Sequence, residues 1–562
     1  MYSYLHMILH GAGDGEKVWY WIDSLCIDQD NMAERNAQIK IMGQIYRTAA
    51  QCDVWLGEEA EESWRAFRFL RFLDRKFHGS SSWPSVDWIE KILAPRTGNY
   101  RDDWNAVEKL FARPWWTRVW TVQEFILSKN VVFRCGTLEM PRSLFRNAIH
   151  VIWECRSNKL KSDGPWNRIR LHEWYAMFGE DEDTKSQGAS LTATLAYLGN
   201  HQATDPRDRI YSLCSLAKDP EIAGTPDYNQ TVETVYIDLV RSFIKVHKSL
   251  DIICFSSIFR DTNHTFTSLP SWVPDWRVTQ NVLVGPLMVS QGTKSAIGNL
   301  RALHSLECTA IYSASLCVEP KVRFSPDLRK MTCRGIFLDR IDGLAGLPII
   351  PWAECSRKAD EMTQPTSPSS ASKDPSRYVT SGTACDILMD VMRCLVLNRE
   401  DHYFNHVFSD DDCLKQSASL LSRAANRDPS PHSAFRAWYA ANRELCIHGW
   451  RLEDLTKKFL KAVDLKGDVR DLRLDSRVHD TLVKMKRRFI ITNDGHLGMA
   501  SSDARKGDFV GIMYGCSVPV VLRWSAEKEA FSFIGECYLH GFMNGKALTR
   551  HYDSRKREFG II

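Results

Sequence analysis

The segment Trp115–Leu127, WWTRVWTVQEFIL, sets a lone carboxylate, Glu124, among three tryptophans just after Pro114. On a helical wheel at roughly 100° per residue, Trp115, Trp116, Val119, Trp120, Val122, Ile126 and Leu127 fill one broad arc, with Thr117, Arg118 and Thr121 opposite. Glu124 falls at the edge of that arc, one turn beyond Trp120 and on its side. A carboxyl beside an indole at a core border is partly desolvated, which raises its pKa and strengthens its hydrogen bonds. That is the setting of an acid held ready for a ligand. A border glutamate paired with a nearby arginine would give the same pattern.

A second set follows the apolar run Val18–Ile22: Asp23, Cys26, Asp28 and Gln29, in DSLCIDQ. If Val18–Ile22 is a strand, these residues stand at its C-terminal end, where open α/β sheets bind their ligands. Asp23 could instead cap its own loop through backbone amides, and Gln29 and Gln38 could tie loop to helix. Cys26 has no histidine partner identifiable in the sequence, so it reads as a packing thiol before a nucleophile. His6 with His10, and His402 with His406, have helical spacing but lack the other marks of a metal site.

These groups must be positioned by regular elements. VWYWI (Val18–Ile22), DVWLG (Asp53–Gly57) and VVFRCG (Val131–Gly136) are nearly continuous apolar runs, as in strands covered on both faces. Between the first two, Ile39, Met42, Ile45, Tyr46 and Ala49 recur at helical spacing, and Asn31 with Glu34 forms a capping-box pattern. The sum is a βαβαβ pattern, hence a parallel sheet with helical crossovers. Further helical stretches are expected within Glu58–Phe111, and over Ala384–Leu397, Ala434–Leu445, Leu452–Val463 and VETVYIDLVRSFIKV. CTAIYSASLCV and MTCRGIFLDRI are strand-like, and the last hundred residues are β-rich with glycines at hairpin turns. ATDPRDR reads as a loop knitted by Asp–Arg pairs, and the LPSWVPDW tryptophans read as packing. Four segments result: 1–150, a mixed α/β stretch 151–345, a Pro/Ser-rich linker or loop 346–383, and a helical then β-rich 384–562.

With 562 residues, 44% hydrophobic and 25% charged, composition is that of a globular protein, and the net charge of +4 is small for the length. No basic cluster interleaves with aromatics, so nucleic acid is not an expected partner. No apolar run reaches the ~20 residues of a membrane span. The sixteen cysteines form no CxxC pair and no secretory leader is visible, so a cytoplasmic protein with reduced thiols is expected. A GxxxxGK[ST] phosphate loop is absent.

YWIDSLCIDQDNMAERNAQIKIMGQIYRTAAQCDVWLG, then RPWWTRVWTVQE and VVFRCG, closely resemble the HET domain, the heterokaryon-incompatibility module of filamentous fungi. The later ATDPRDRIYSLCSLA, PDYNQTVETVY, LPSWVPDW and the C-terminal β-rich stretch resemble the usual companion region of such proteins. The resemblance implies non-self recognition and programmed cell death, with protein partners in incompatibility signalling, self-association among them. It further implies a flavodoxin- or TIR-like parallel sheet in the N-terminal domain, then a mixed helical region and a β-rich C-terminal part. HET domains usually start with a strand and loop of the type ALSYVWG, which this sequence lacks before its WID. The resemblance therefore implies a sheet without its first strand: an incomplete gene model, a degenerate and inactive member, or a sheet repaired from elsewhere.

Trp120 and Glu124 also match the WxxxE spacing around the catalytic glutamate of NAD-cleaving TIR domains. By that analogy Glu124 would be catalytic, stabilising an oxocarbenium-like state as the nicotinamide leaves. Trp120 would stack on the leaving ring, and Asp23, Cys26, Asp28 and Gln29 would line the substrate pocket. NAD⁺ would then be a substrate, with no cofactor and no metal required. The two readings, recognition module and NAD⁺ glycohydrolase, differ in what Glu124 does.

Overall fold

The computed structural model describes residues 5, 18–78, 100–148, 190–198, 201–261, 269–278, 289–290, 299–300, 312–347, 364–369, 383–400, 406–425, 433–463 and 473–562. The chain forms two compact units, divided after Val235.

The first unit begins with a helical turn, Asp23–Cys26, and α1, Met32–Thr48. The Asn31 side chain caps α1 by accepting from the N–H groups of Ala33 and Glu34. The return bond of a capping box is displaced: Glu34 accepts from the Asp28 N–H at 3.2 Å instead. After α1 come β1 (Cys52–Trp55), α2 (Ser63–His78) and α3 (Arg101–Phe111). α4 (Thr121–Leu127), β2 (Val131–Cys135) and β3 (Leu138–Pro141) follow. β1 and β2 pair in parallel from Cys52 opposite Val131 to Trp55 opposite Arg134, and β3 folds back antiparallel on β2. A parallel crossover of this kind needs covering helices, and α3 and α4 lie between its strands in sequence. Behind the sheet, Trp116 stacks on Phe133 and Phe145 with centroids 5.4 Å from each.

Two of the three expected parallel strands form. Val18–Ile22 joins no sheet among the described residues, and Trp19 is 92% exposed. An apolar run becomes a strand only where a neighbour pairs its N–H and C=O groups, and none of the described strands flanks this one. The unit also continues past residue 148. α5 (Leu191–Leu198) and α6 (Asp208–Cys214) belong to it, and α6 packs on α4.

The chain then enters α7, Val232–His247, where its spacing predicts a helix. The second unit is built on a sheet of β4 (Val322–Phe324), β5 (Met331–Leu344), β6 (Arg487–Thr492), β7 (Leu497–Ser501), β8 (Phe509–Met513), β9 (Val520–Ser525), β10 (Ala530–Glu536), β11 (Tyr538–Leu539) and β12 (Lys556–Ile561). The long β5 pairs with β12 along its first half, with β8 through Gly335–Arg340 and with β6 at its end. Because β8, β9, β10 and β12 are neighbours in that order, the β5–β8 pairing closes them into a barrel. Ile336, Leu338, Val510, Ile512, Val521 and Ile534 fill its core.

α8 (Ala384–Leu395), α9 (Asp410–Ala425), α10 (Ala434–Asn442) and α11 (Leu452–Ala462) form the expected helical part. The Thr383 side chain and Asp386 make a complete capping box on α8. Of CTAIYSASLCV, Cys308–Ile311 lie outside the described residues. Tyr312–Val318 is a turn rather than a strand, because Ser313 and Ala314 donate to the carbonyls of Met543 and Ser517 instead of to a ladder. Most of the expected 346–383 linker lies outside the described residues. Its Thr366 exchanges both backbone hydrogen bonds with Leu344 at 2.8 Å.

Among the described residues no helix is long and apolar enough to cross a membrane, and no group of three or more His, Cys, Asp or Glu side chains gathers as a metal site would require.

Candidate functional site

The stretch Trp115–Leu127 is not one helix. Pro114–Thr117 makes a 3₁₀ turn, Arg118 is extended, and α4 starts at Thr121 with Trp120 as its N-cap. The break is held from outside. Arg118 bridges Gln202, whose carbonyl takes the Val119 N–H at 3.0 Å, and Gln202 itself donates to the Thr117 carbonyl. These tertiary bonds replace the helical bonds the segment would otherwise make.

The break redirects the indoles. Trp115, not Trp120, meets Glu124: its Nε1–H donates to the Glu124 carboxyl at 2.9 Å. Trp115 and Trp116 are buried, and Trp116 donates to the Leu110 carbonyl at 2.8 Å. Trp120 is half-buried, with its indole near Asp208 on α6. Gln123 is buried and its amide donates to the Ser212 carbonyl, also on α6. WTVQE is thus a two-sided clamp, with Gln123 holding α6 and Glu124 turned toward Trp115.

Glu124 is half-buried at its site. Burial raises its pKa; the Trp115 N–H and the Arg118 charge pull it back without cancelling, and the nearby Asp23 charge raises it further. Tyr46, on the last turn of α1, is raised by burial and then by the charges of Glu124, Cys52 and Asp23. Burial and the Glu124 charge push the Cys52 thiol up to about 12. Trp21 sits edge-on to Tyr46, 6.0 Å between centroids. Asp23 lies near enough to Glu124 for its charge to oppose the ionisation of that carboxyl.

Cys52 opens β1 and senses the Glu124 charge, so Glu124 stands near the N-terminal end of the parallel strands, not at the C-terminal end where open α/β sheets bind ligands. At the opposite end Arg113 fills the space: its guanidinium donates to the carbonyls of Leu56 at 2.8 Å and Glu58 at 3.0 Å and touches the Cys135 sulfur. The Glu59 carboxylate accepts from the Thr137 N–H at 3.1 Å beside it. Protein groups occupy the place where an α/β sheet usually offers a ligand its strand ends.

Of the other predicted residues, Cys26, Asp28 and Gln29 are exposed and bind their own loop. The Cys26 sulfur lies 3.5 Å from the Ile22 N–H, Asp28 accepts from the Asp30 N–H at 3.1 Å, and the Gln29 amide donates to the Asp23 carbonyl at 3.2 Å. Asp23 itself accepts from the Ser24 N–H at 2.7 Å. These are turn-forming bonds.

The cluster that sequence reading missed surrounds Asp208. This buried carboxyl accepts from the Tyr228 hydroxyl, yet burial still raises its pKa, with the Asp205 charge adding to it. Arg35 of α1 sits 3.8 Å over the Tyr228 ring. Asn36 accepts from the Tyr228 N–H at 3.0 Å and donates to Asp227 at 3.2 Å. Arg207 binds Asp205 with two bonds of 2.9 and 2.8 Å and donates to the carbonyls of Tyr228 and Gln230. Burial works to raise Asp205, but these bonds and the Arg207 charge outweigh it and hold the carboxyl low. ATDPRDR is the Asp–Arg knot its sequence suggests. The missed signal is PDYN, whose tyrosine closes the knot onto α1. Gly43 completes the junction: a Cβ there would meet the Ser215 Cβ at 2.5 Å.

Burial moves Glu124 toward its neutral form, and the indole that bonds to it is that of Trp115, not Trp120.

Comparison with known proteins agrees with the two-part build. Residues 2–124 match the family model described as Heterokaryon incompatibility protein (HET), and residues 421–562 match that of the Het-6 beta-barrel domain. The chain is 24% identical over 597 aligned positions to "Heterokaryon incompatibility protein 6, OR allele" of Neurospora crassa, covering 96% of this chain and 82% of that protein. It is 30% identical over 120 residues to "Vegetative incompatibility protein HET-E-1" of Podospora anserina, which is 21% of this chain and 6% of that protein. No solved structure matches.

Proposed function

We propose that this chain, which carries a HET domain at residues 2–124 and a Het-6 barrel domain at residues 421–562, is a heterokaryon incompatibility protein of fungal non-self recognition. The observation that carries this reading is the alignment across 96% of the chain with the Neurospora incompatibility protein, so that both domains and what lies between them find a counterpart. The protein acts through other proteins, as a signalling module whose engagement after fusion of unlike cells leads to programmed death. It needs no cofactor for this. The α4 clamp supports such a role, because it ties the HET segment through Ser212 to the residues that follow it.

The test is fusion of fungal strains that differ at this locus, one of them expressing the full chain, scored by vital-dye uptake and by cellular NAD⁺. Death confined to fused cells, with NAD⁺ falling only after dye entry, is expected. Viable fused cells that contain the protein at normal abundance would overturn the reading. NAD⁺ loss that precedes dye entry and disappears in Glu124→Gln would instead restore the hydrolytic one.

A further inference from the structure

One face of the barrel ends in a row of aromatic rings. Phe337 on β5 lies 5.4 Å from Phe509 on β8, Phe509 lies 5.2 Å from Phe531 on β10, and Trp524 on β9 stands 4.9 Å from Phe531, centroid to centroid. The register makes this row: Phe509 is opposite Arg340 on one side and Leu522 on the other, and Trp524 is opposite Phe531. Two guanidiniums sit on the rings, Arg340 at 4.3 Å from the Phe509 centroid and Arg557 at 4.6 Å from that of Phe337. Both arginines are exposed, and Trp524 is 45% exposed.

The charges on this face are not balanced. Arg323 and Arg334 of the same sheet share Glu558, and Arg523 is bound to Asp508. Among the described residues neither Arg340 nor Arg557 has a carboxylate within ion-pair distance. A guanidinium already laid on a ring has lost much of its rotamer freedom, so a carboxylate can engage its N–H edge at small entropic cost. Tryptophan, phenylalanine and arginine are also the residue types that concentrate binding energy at protein interfaces.

We propose that this face docks an acidic segment of a partner protein, with carboxylates on Arg340 and Arg557 and an apolar side chain against Phe509 and Trp524. Nucleic acid fits less well, since two unbalanced cations are few for a phosphate backbone.

The experiment titrates full-length protein with a fluorescein-labelled peptide of alternating Glu and Leu. Binding is expected, weakened about tenfold or more by R340Q/R557Q and by Trp524→Ala. It should be unchanged by Arg323→Gln, whose cation is already paired. Replacing every Leu of the peptide by Ser, at equal charge, should weaken it too. Equal binding by R340Q/R557Q and the parent overturns the proposal. So does equally tight binding of the Ser peptide or of a single-stranded oligonucleotide. A lower melting temperature in R340Q/R557Q with unchanged binding would also overturn it, because the arginines would then only cover the rings.

Discussion

Two acids of the first unit, the buried Asp208 and the half-buried Glu124, are provided for differently. Asp208 accepts from the Tyr228 hydroxyl within the knot that joins α6 to α1, with the Arg35 charge close by and the Asp205 charge opposing its ionisation. Glu124 has the Trp115 N–H, the more distant Arg118, and a second carboxyl, Asp23, that opposes its ionisation. A buried carboxyl that closes such a knot is a fastener, expensive to remove. The contrast assigns α6 and the Asp208 knot to holding the unit together.

The contrast can be broken most severely at Asp208. Asp208→Ala would leave the Tyr228 hydroxyl buried without an acceptor, costing about 1–3 kcal/mol. Asp208→Asn keeps an acceptor and should cost well under half as much; chemical denaturation measures both. If the two variants are equally mild, Asp208 is not the fastener. Next comes Gly43→Ala, whose methyl would collide with Ser215 and should lower stability by about 1–3 kcal/mol, read from the urea midpoint. Trp115→Phe keeps the ring and removes the donor to Glu124. A loss of about 1 kcal/mol is expected, with no change at the α6 junction as followed by hydrogen exchange.

The smallest effect at neutral pH has an unusual sign. Glu124 binds its proton more tightly folded than unfolded, so its contribution is complete below the unfolded glutamate pKa and is lost as pH rises through the raised folded value. Glu124→Gln keeps the shape and an acceptor for Trp115 but cannot ionise. Its melting temperature should exceed the parent's by a few degrees at pH 8 and coincide with it near pH 4.

Much of this was legible in the sequence because the signals are local. The Asn31 cap, the α1 spacing, the Val131–Cys135 strand, the Met331–Leu344 strand and the core position of Trp116 all follow from nearest-neighbour chemistry. What was not legible depends on partners far away in the chain. Gln202 breaks the helix at Arg118 and so exchanges Trp120 for Trp115 beside Glu124. Tyr228 turns PDYN into a lock on Asp208. Arg113 fills the strand ends where a ligand was expected. Val18–Ile22 has the composition of a strand but, among the described residues, no neighbouring strand to make it one.

Asp23 lies near enough to Glu124 for the two charges to oppose each other, and a double-mutant cycle of Asp23→Asn and Glu124→Gln at pH 8 tests this most directly. Either substitution alone should relieve the repulsion, so the account predicts that the second adds little stability to the first. Strictly additive effects would mean that the two carboxyls do not sense each other, and would contradict it.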